Sequence, residues 1–312
     1  MLGRIAAVTL TAPDLAGTTA AYREHLGYRV THDGALGREV ARAWGRPQLA
    51  GRRSVLMEPE SGAEVFLRFV EGPRYPGYEP LACLGWNAAE LIVADVDALA
   101  ERLARSPFRV VGPPADLSFS DRIRAMQVVG PARELLYLTQ IKERLPAFDT
   151  PVAASFVDRV FIVILGGSSL ESLQDHYEAR FGVPRVPVMQ SVVSTLSARY
   201  SLPVDHRHPI AALPVGGQCY IEADQMPEAA VARPCDPGEL PPGIAMVSFE
   251  VDRLPVEPVS ALGPTDRPPS PPYGGRRTLT CVGPAGELIE LIETGAVGAA
   301  IESRVERPQP GA

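Results

Sequence analysis

The sequence lacks the features of several large classes of protein. Its four cysteines, Cys83, Cys219, Cys235 and Cys281, are widely spaced and form no Cys-x-x-Cys pair, so neither a zinc ribbon nor a disulfide framework is expected. No apolar run reaches the length of a membrane-spanning helix, and the opening residues MLGRIAAVTLTAPDL make a poor signal peptide. These absences favour reduced thiols in a cytoplasmic protein without a membrane partner.

Charge of one sign is not concentrated anywhere along the chain. The 30 basic residues are scattered among 37 acidic ones, and the net charge is −7. Because binding to phosphates needs a basic stripe, nucleic acid is not an expected partner. The sequence also has no Walker loop, no Gly-x-Gly-x-x-Gly at a helix start and no Gly-x-Ser-x-Gly, which argues against nucleotide-dependent enzymes and serine hydrolases.

What the chain does contain is a repeat of itself. GPARELLYLTQ at 130–140 returns as GPAGELIELIE at 283–293, an offset of 153 residues. YREHLGY at 22–28 returns as YEARFGV at 177–183, an offset of 155. Matches at nearly one offset indicate a tandem duplication.

Each half divides again into a strand, a short helix and further strands. In the first unit, Asp14 is predicted to cap a helix that Gly27 ends, and the second unit repeats the order from AAELIVADV onward. The prediction is an α+β protein of four βαβββ modules in two barrel-like halves, with each GPA turn closing one half. The expected boundaries are 1–142 for the N-terminal half, 156–295 for the C-terminal half and 296–312 for a flexible tail.

Two stretches carry a resemblance to a known superfamily. DLAGTTAAYREHLGY at 14–28 and GPAGELIELIE resemble the helix and closing turn of the vicinal oxygen chelate (VOC) superfamily, which includes glyoxalases, bleomycin-resistance proteins and type I extradiol dioxygenases. The resemblance covers roughly 4–142 and 157–294. It implies curved sheets around cavities, with His or Glu ligands for a divalent metal projecting from first and last strands.

Few of the positions at which the resemblance implies metal ligands carry a residue that can bind a metal. The first-strand positions contain no His; they fall on Ala7, on Ala88 with Glu90 nearby, on Arg159 or Ile162, and within 243–245. The last-strand positions carry Tyr137 and Glu290. Since one carboxylate cannot hold a catalytic metal, the standard triad is missing. The identity of any cofactor stays open. A protein without a cofactor is favoured over one that binds a divalent metal.

Glu290 and Tyr137 are the first candidates for catalytic residues. Glu290 is either an inward-facing acid, base or acceptor, or a strand carboxylate that points to solvent. Tyr137 is either a donor in the other cavity or an aromatic core residue.

A second candidate is the pair His206 and His208, the only local cluster with metal-like spacing. Alternate residues of a strand share a face, so the pair would serve as a metal site or supply a general base. Pro203 and Pro209 bracket the pair, which favours a solvated loop instead.

Three further residues are candidates for substrate binding. Trp44 lies in an arginine-rich stretch that forms either a lid or an exposed basic loop. Arg68 interrupts an apolar strand, where it either faces a cavity as an anion anchor or lies on the solvent face. Glu222 occupies the corresponding strand of the third unit.

Two functions fit these observations. One is a glyoxalase- or dioxygenase-like enzyme, a lyase, isomerase or dioxygenase acting on a small aromatic or carbonyl-bearing molecule, with the C-terminal cavity retaining the chemistry. The alternative is a non-catalytic small-molecule-binding protein of the bleomycin-resistance kind. Because both units of each half lie in one chain, a monomer or a homodimer is expected.

Overall fold

Repeated strand–helix–strand units account for most of the computed structural model, which describes residues 1–146, 148–255 and 260–295. Unit one contains β1 (Leu2–Ala12), α1 (Leu15–Leu26), β2 (Arg29–Ala35), α2 (Arg38–Ala43), a 3-10 turn (Pro47–Leu49), β3 (Arg53–Glu58) and β4 (Phe66–Glu71). Unit two contains β5 (Gly85–Val93), α3 (Val96–Leu103), β6 (Arg109–Leu117), β7 (Ser120–Val129) and β8 (Leu135–Ile141). Unit three contains β9 (Val157–Gly167), α4 (Leu170–Phe181), β10 (Met189–Val192), α5 (Ser194–Arg199), β11 (Arg207–Val215) and β12 (Cys219–Gln225). Unit four contains β13 (Gly243–Val251), β14 (Thr278–Val282) and β15 (Leu288–Glu293).

The α+β class predicted from the sequence is confirmed, and so are the ends of the first helix. The Asp14 side chain accepts a hydrogen bond from the Gly17 N–H at the start of α1. Gly27 ends α1 with φ 73°, and Gly182 ends α4 in the same left-handed conformation with φ 66°. This region favours glycine because it has no Cβ to clash.

The strands form two sheets, and each sheet combines units from opposite halves of the chain. The seven-stranded sheet has the order β14-β15-β13-β1-β4-β3-β2, and the eight-stranded sheet has the order β10-β11-β12-β9-β5-β8-β7-β6. Antiparallel pairing of β1 with β13 and of β5 with β9 joins the units. The expectation that each half of the chain closes its own cavity is therefore corrected: unit one shares a sheet with unit four, and unit two with unit three.

Unit four departs from the repeat. The described part of its 252–277 connection contains no helix, and only the isolated pairs Ala261–Cys281 and Asp266–Thr278 extend the sheet beyond β14. This connection is rich in proline, which lacks the N–H that a helix or sheet interior needs. The predicted tail, 296–312, lies outside the described residues.

Each of the two repeated GPA turns leads into a glutamate that accepts a buried hydrogen bond from a tyrosine. Tyr22 of α1 donates its hydroxyl to Glu134 Oε1 at 2.6 Å, and Tyr177 of α4 donates to Glu287 Oε1 at 3.1 Å. We call these the closing-turn clamps. Each clamp links a helix of one unit to the turn before the last strand of the next unit. A buried carboxyl group needs such a partner.

The glycine of each turn leaves room for the glutamate side chain that folds back onto it. A Cβ at Gly130 would lie 1.9 Å from Glu134 Oε1, and a Cβ at Gly283 would lie 1.9 Å from Glu287 Oε1. The motif GPA-x-E is therefore written twice for a structural reason.

The central strands of both sheets are buried on both faces, whereas the edge strands β2, β6 and β10 are largely exposed. One face of each sheet packs with α1, α3 and α4 in a single large apolar core. The opposite face of the seven-stranded sheet, which bears Arg68, Leu288 and Glu290, is covered by α2 and Trp44; we call it the first inner face. The opposite face of the eight-stranded sheet bears Ala88, Glu90, Leu135, Tyr137, Ile162, Ile164, Glu222 and Asp224 and is covered by α5; we call it the second inner face. Among the described residues, no helix has the length and apolar character needed to cross a membrane.

Candidate functional site

Glu290 lies fully buried on the first inner face, and both of its carboxylate oxygens are engaged. Oε1 accepts hydrogen bonds from Trp44 Nε1 at 2.7 Å and from the Tyr273 hydroxyl at 2.8 Å. Oε2 accepts one from Ser248 Oγ at 2.5 Å. The alternative that Glu290 points to solvent is wrong. We call these four residues, with Arg68, the Glu290 centre.

Arg68 supplies the positive charge of this centre. Its side chain is buried, with Nη1 2.9 Å from the Tyr273 hydroxyl and 3.9 Å from Glu290 Oε2. The guanidinium carbon lies 5.3 Å from the Trp44 ring centre and 5.1 Å from that of Tyr273, within cation–π range. Burial raises the pKa of Tyr273 well above its usual value, so this hydroxyl stays protonated and donates.

Strand register places these groups together. Across the parallel pair β13–β15, Ser248 lies opposite Glu290, and across β1–β13, Ala7 lies opposite Ser248. Ser248, not a residue within 243–245, is therefore the unit-four residue level with the carboxylate. Trp44 follows α2 and is buried, so the interpretation of its stretch as an exposed loop is wrong for this residue.

The residues of the Glu290 centre do not fit a divalent metal. Such an ion needs several nitrogen or oxygen ligands from different strands. The residues level with Glu290 are Ser248 on β13, Thr280 on β14 and, one strand further, Ala7 on β1, so they supply hydroxyl groups but no imidazole and no second carboxylate. The Arg68 guanidinium already provides a positive charge 3.9 Å from Glu290 Oε2. Within 1–146, 148–255 and 260–295, no group of three His, Cys, Asp or Glu side chains is arranged to hold a metal ion.

A pocket of about 360 Å³ opens beside the Glu290 centre. Its walls are largely apolar and come from the start of β5, the start of β13, the closing turn of unit four and the linker before β13; they include Leu84, Trp86, Pro241, Ile244, Ala245 and Leu288. Trp86 donates its indole N–H to the Leu288 carbonyl at 2.7 Å, which fixes the ring in the wall.

Two arginines give this pocket a positive charge. Arg46 donates Nε to the Glu239 carbonyl at 2.8 Å, and Arg233 donates Nη1 to the Ile244 carbonyl at 2.7 Å. Within the described chain, neither forms an ion pair with a carboxylate. The acid in the wall, Glu287, has its pKa raised to about 7 by burial, so it is partly neutral at pH 7.

The second inner face has a different chemistry. Glu90 of β5 lies level with Tyr137 of β8, and Glu222 and Asp224 lie two strands away on β12. Burial, aided by the charge of Glu222, raises the pKa of Glu90 to about 8. Burial also raises the pKa of Glu222 to about 7 and that of Asp224 well above its usual value.

The two candidate histidines differ in position. His208 is buried in β11, with Nε2 2.9 Å from Ser197 Oγ of α5, and burial lowers its pKa. His206 precedes the strand and is exposed, although the two rings lie 4.7 Å apart. The expectation of a solvated loop is wrong for His208. Pro209 is accommodated because its partner β10 is a four-residue edge strand.

The structure therefore distributes the predicted site residues over two places. Glu290, Arg68 and Trp44 meet in the Glu290 centre, whereas Tyr137, Glu222 and His208 lie on or beside the second inner face. Sequence reasoning missed Ser248, Tyr273, Arg233 and Asp224, whereas Arg46 belongs to the arginine-rich stretch around Trp44 that it singled out. No pattern marked Tyr273, which lies in a proline-rich connection, and only exact strand register identifies Ser248.

Solved structures share this fold. Glyoxalase I from Zea mays is 16% identical, with 93% of this chain and 92% of that chain covered and a TM-score of 0.59. A putative dioxygenase from Bacillus subtilis is 10% identical, with 94% and 85% covered and a TM-score of 0.59. No family profile and no curated protein sequence matches the chain. The chain thus has the glyoxalase/dioxygenase fold of the VOC superfamily. At these identities the likeness concerns the fold alone.

Proposed function

We propose that the protein binds a small organic anion with an apolar body in the pocket beside the Glu290 centre, without transforming it. The observation that carries this proposal is the pocket of about 360 Å³ whose two arginines have no acidic partner in the described chain. A volume of this size is within the range of small-molecule sites, which are mostly apolar with a few placed polar groups.

The charge of the pocket indicates the ligand class. Arg46 and Arg233 already donate to backbone carbonyls, which hold their guanidinium planes in place. Arg233 has both terminal nitrogens engaged, with the carbonyls of Trp86, Pro242 and Ile244 and with the Asn87 side chain. Arg46 donates only through Nε and Nη1, so within the described chain its Nη2 stays available to a ligand. Carboxylate is the group that the planar guanidinium matches. The apolar walls around Trp86 and Ile244 suit a ring or a branched chain attached to that carboxylate.

The state of Glu290 favours binding over catalysis. A catalytic acid, base or metal ligand must reach the reacting molecule, whereas Glu290 is fully buried and accepts from three protein donors. This supports the non-catalytic hypothesis over a lyase, isomerase or dioxygenase that works through Glu290. The centre then supports the pocket wall, because Leu288 lies two residues along the same strand.

Benzoate is a suitable probe for this proposal, with benzyl alcohol as its neutral counterpart. The chain has only two tryptophans, so a ¹H–¹⁵N spectrum shows two indole signals. Benzoate titrated at pH 7 should shift the signal of Trp86, which lines the pocket, more than that of Trp44. Benzyl alcohol should bind more weakly by about tenfold, the effect of losing one charge-assisted hydrogen bond.

The variant Arg46→Gln should weaken benzoate binding by a similar factor of about ten. Arg42→Gln is the matched control, because Arg42 is exposed and pairs with Asp266 outside the pocket. An unchanged affinity in Arg46→Gln, or no indole shift with benzoate in the folded protein, would overturn the proposal.

A further inference from the structure

The second inner face holds three acids and no basic partner. Glu90, Glu222 and Asp224 form no ion pair in the described chain, and β9 contributes only Ile162 and Ile164 between them. The nearby His208 has its Nε2 against Ser197 and its pKa lowered by burial, so it carries no charge at pH 7. Burying several carboxyl groups without a cation is unfavourable.

Hydroxyl groups on the same face also lack partners. Tyr137 and Thr195 are 7% and 9% exposed. Their hydroxyl groups lie near each other, but neither forms a hydrogen bond of normal geometry within the described structure. Asp224 Oδ1 is likewise without a donor. Buried polar atoms normally have partners. Burial is the largest cause of the raised pKa of Tyr137, and the charges of Asp224 and Glu222 are the next largest. The Tyr137 hydroxyl therefore lies close to these acids.

We propose that the second inner face is a binding site for a small organic ammonium ion, distinct from the anion pocket. The ammonium group would donate to Glu222 and to one of the two acids beside it, Glu90 or Asp224, because no three acidic side chains of the described chain surround one point. The alkyl part would extend toward the open side of Glu222. Glu222 is the half-exposed member of the set, and it marks the side from which a ligand enters. The cover is α5, which carries Thr195 and Ser197.

The ionisation of the acids gives this site a signature of its own. Glu90, with its pKa raised to about 8, and Glu222, with its pKa raised to about 7, hold protons near neutral pH. A nearby cation favours the charged form of a carboxyl group. Binding of an ammonium ion at pH 7 should therefore release protons, whereas a neutral alcohol should release none.

Propylammonium is the probe, and 1-propanol is its neutral isostere. In an unbuffered potassium chloride solution held at pH 7 by a pH-stat, propylammonium should release about one proton per chain at saturation. In Glu222→Gln, binding should weaken about tenfold or more. In Glu90→Gln, proton release should fall. Glu228→Gln is the control, because Glu228 is an exposed acid on the linker after β12.

The outcomes separate this proposal from its alternatives. If propylammonium and 1-propanol behave alike, or if Glu222→Gln binds as the unaltered protein does, the proposal is overturned. Magnesium chloride that saturates the site with proton release while propylammonium does not would also overturn it, in favour of a metal. Should Glu90→Gln fail to fold, Glu222→Gln decides alone. The Arg46→Gln variant should bind propylammonium normally, so failure of the anion pocket and failure of this site are distinguishable.

Discussion

At the scale of single residues, the two inner faces show how a duplicated position changes its chemistry. Arg68 pairs with Thr9 of β1 as Glu222 pairs with Ile164 of β9, so these two residues are equivalent. Glu290 and Tyr137 are equivalent by the repeated turn. The first face therefore has one acid beside one base, whereas the second has acids and a phenol with no base. The acid of the first face has its cation within the protein, although Thr9 Oγ1 and Thr280 Oγ1 on that face have no hydrogen-bond partner among the described residues. The acids of the second face have no such cation in the described chain.

The Arg68→Met variant tests the balance of charge in the Glu290 centre. Removing the guanidinium leaves a buried carboxylate without its cation, which should lower the free energy of unfolding by about 3–5 kcal/mol in urea denaturation. The double variant Arg68→Met, Glu290→Gln should recover part of this loss, because its buried amide carries no charge. Equal stability of Arg68→Met and the unaltered protein would mean that the two groups do not interact.

The buried acids predict a dependence of stability on pH. Glu90, Glu134, Glu222 and Glu287 have pKa values raised by burial from 4.5 to about 8, 7, 7 and 7. A raised folded-state pKa stabilises the fold fully below the unfolded value, and this stability is lost as the pH rises through the folded value. The free energy of unfolding should therefore fall between pH 5 and pH 8.

The variant Glu90→Gln measures one part of that dependence. The difference between 4.5 and about 8 corresponds to roughly 4–5 kcal/mol for this single group, so the variant should be less sensitive to pH than the unaltered protein. Urea denaturation at each pH provides the measurement. A stability that rises from pH 5 to pH 8, or the same pH dependence in both proteins, would show that Glu90 ionises normally.

At the scale of elements, the closing-turn clamps tie helices to the turns of the next unit. Each clamp joins two consecutive units, whose strands belong to different sheets: α1 to the turn before β8, and α4 to the turn before β15. The clamps therefore connect the two sheets within each half of the chain.

The variants Tyr22→Phe and Tyr177→Phe should each lower the free energy of unfolding by about 1–3 kcal/mol, because each leaves a buried glutamate without its donor. Their effects should add, since the clamps share no residue. Tyr75→Phe is the control, because the half-exposed Tyr75 hydroxyl contacts only the exposed Asp236 N–H. A loss below about 0.5 kcal/mol in both clamp variants would contradict this role.

Elements and repeats were the part of the structure that sequence could predict. Asp14 and Gly27 marked the first helix because capping and left-handed φ are local requirements. Strand alternation made Glu290 a candidate for facing inward because alternation is also local, but the sequence left a solvent-facing orientation equally open. Trp44, Tyr273 and Ser248 contact Glu290 from segments that lie far from one another in the sequence, so no local pattern predicts that they meet. The expectation that every repeat is complete gave unit four a helix, and the described part of its connection contains none.

At the scale of the whole molecule, neither half of the chain completes a sheet by itself. Two strands of the first half, β1 and β5, pair with β13 and β9 of the second half. Because β1 and β5 are buried strands, separating the halves would expose long apolar edges. The predicted halves are thus units of duplication whose strands depend on each other.

Residues 1–142 produced alone should therefore not exist as a folded monomer. A second copy offers the same edges, since β9 repeats β1 and β13 repeats β5, so the fragment should form a homodimer that restores both pairings. Sedimentation velocity of the fragment, with the full chain as control, makes the test. A stable folded monomer of 1–142 would contradict the pairing of units across the halves.

The claim that most of this account depends on is that Glu290 is a hydrogen-bonded structural acid, not a metal ligand. Elemental analysis of the protein purified without chelator, for the unaltered chain and for Glu290→Gln, tests it directly. Because Glu290 already accepts three hydrogen bonds from the protein, neither protein should contain a stoichiometric divalent metal that depends on Glu290, and both should give the same result. About one divalent ion per chain, lost in Glu290→Gln, would contradict it and would make a metal-dependent activity the leading hypothesis.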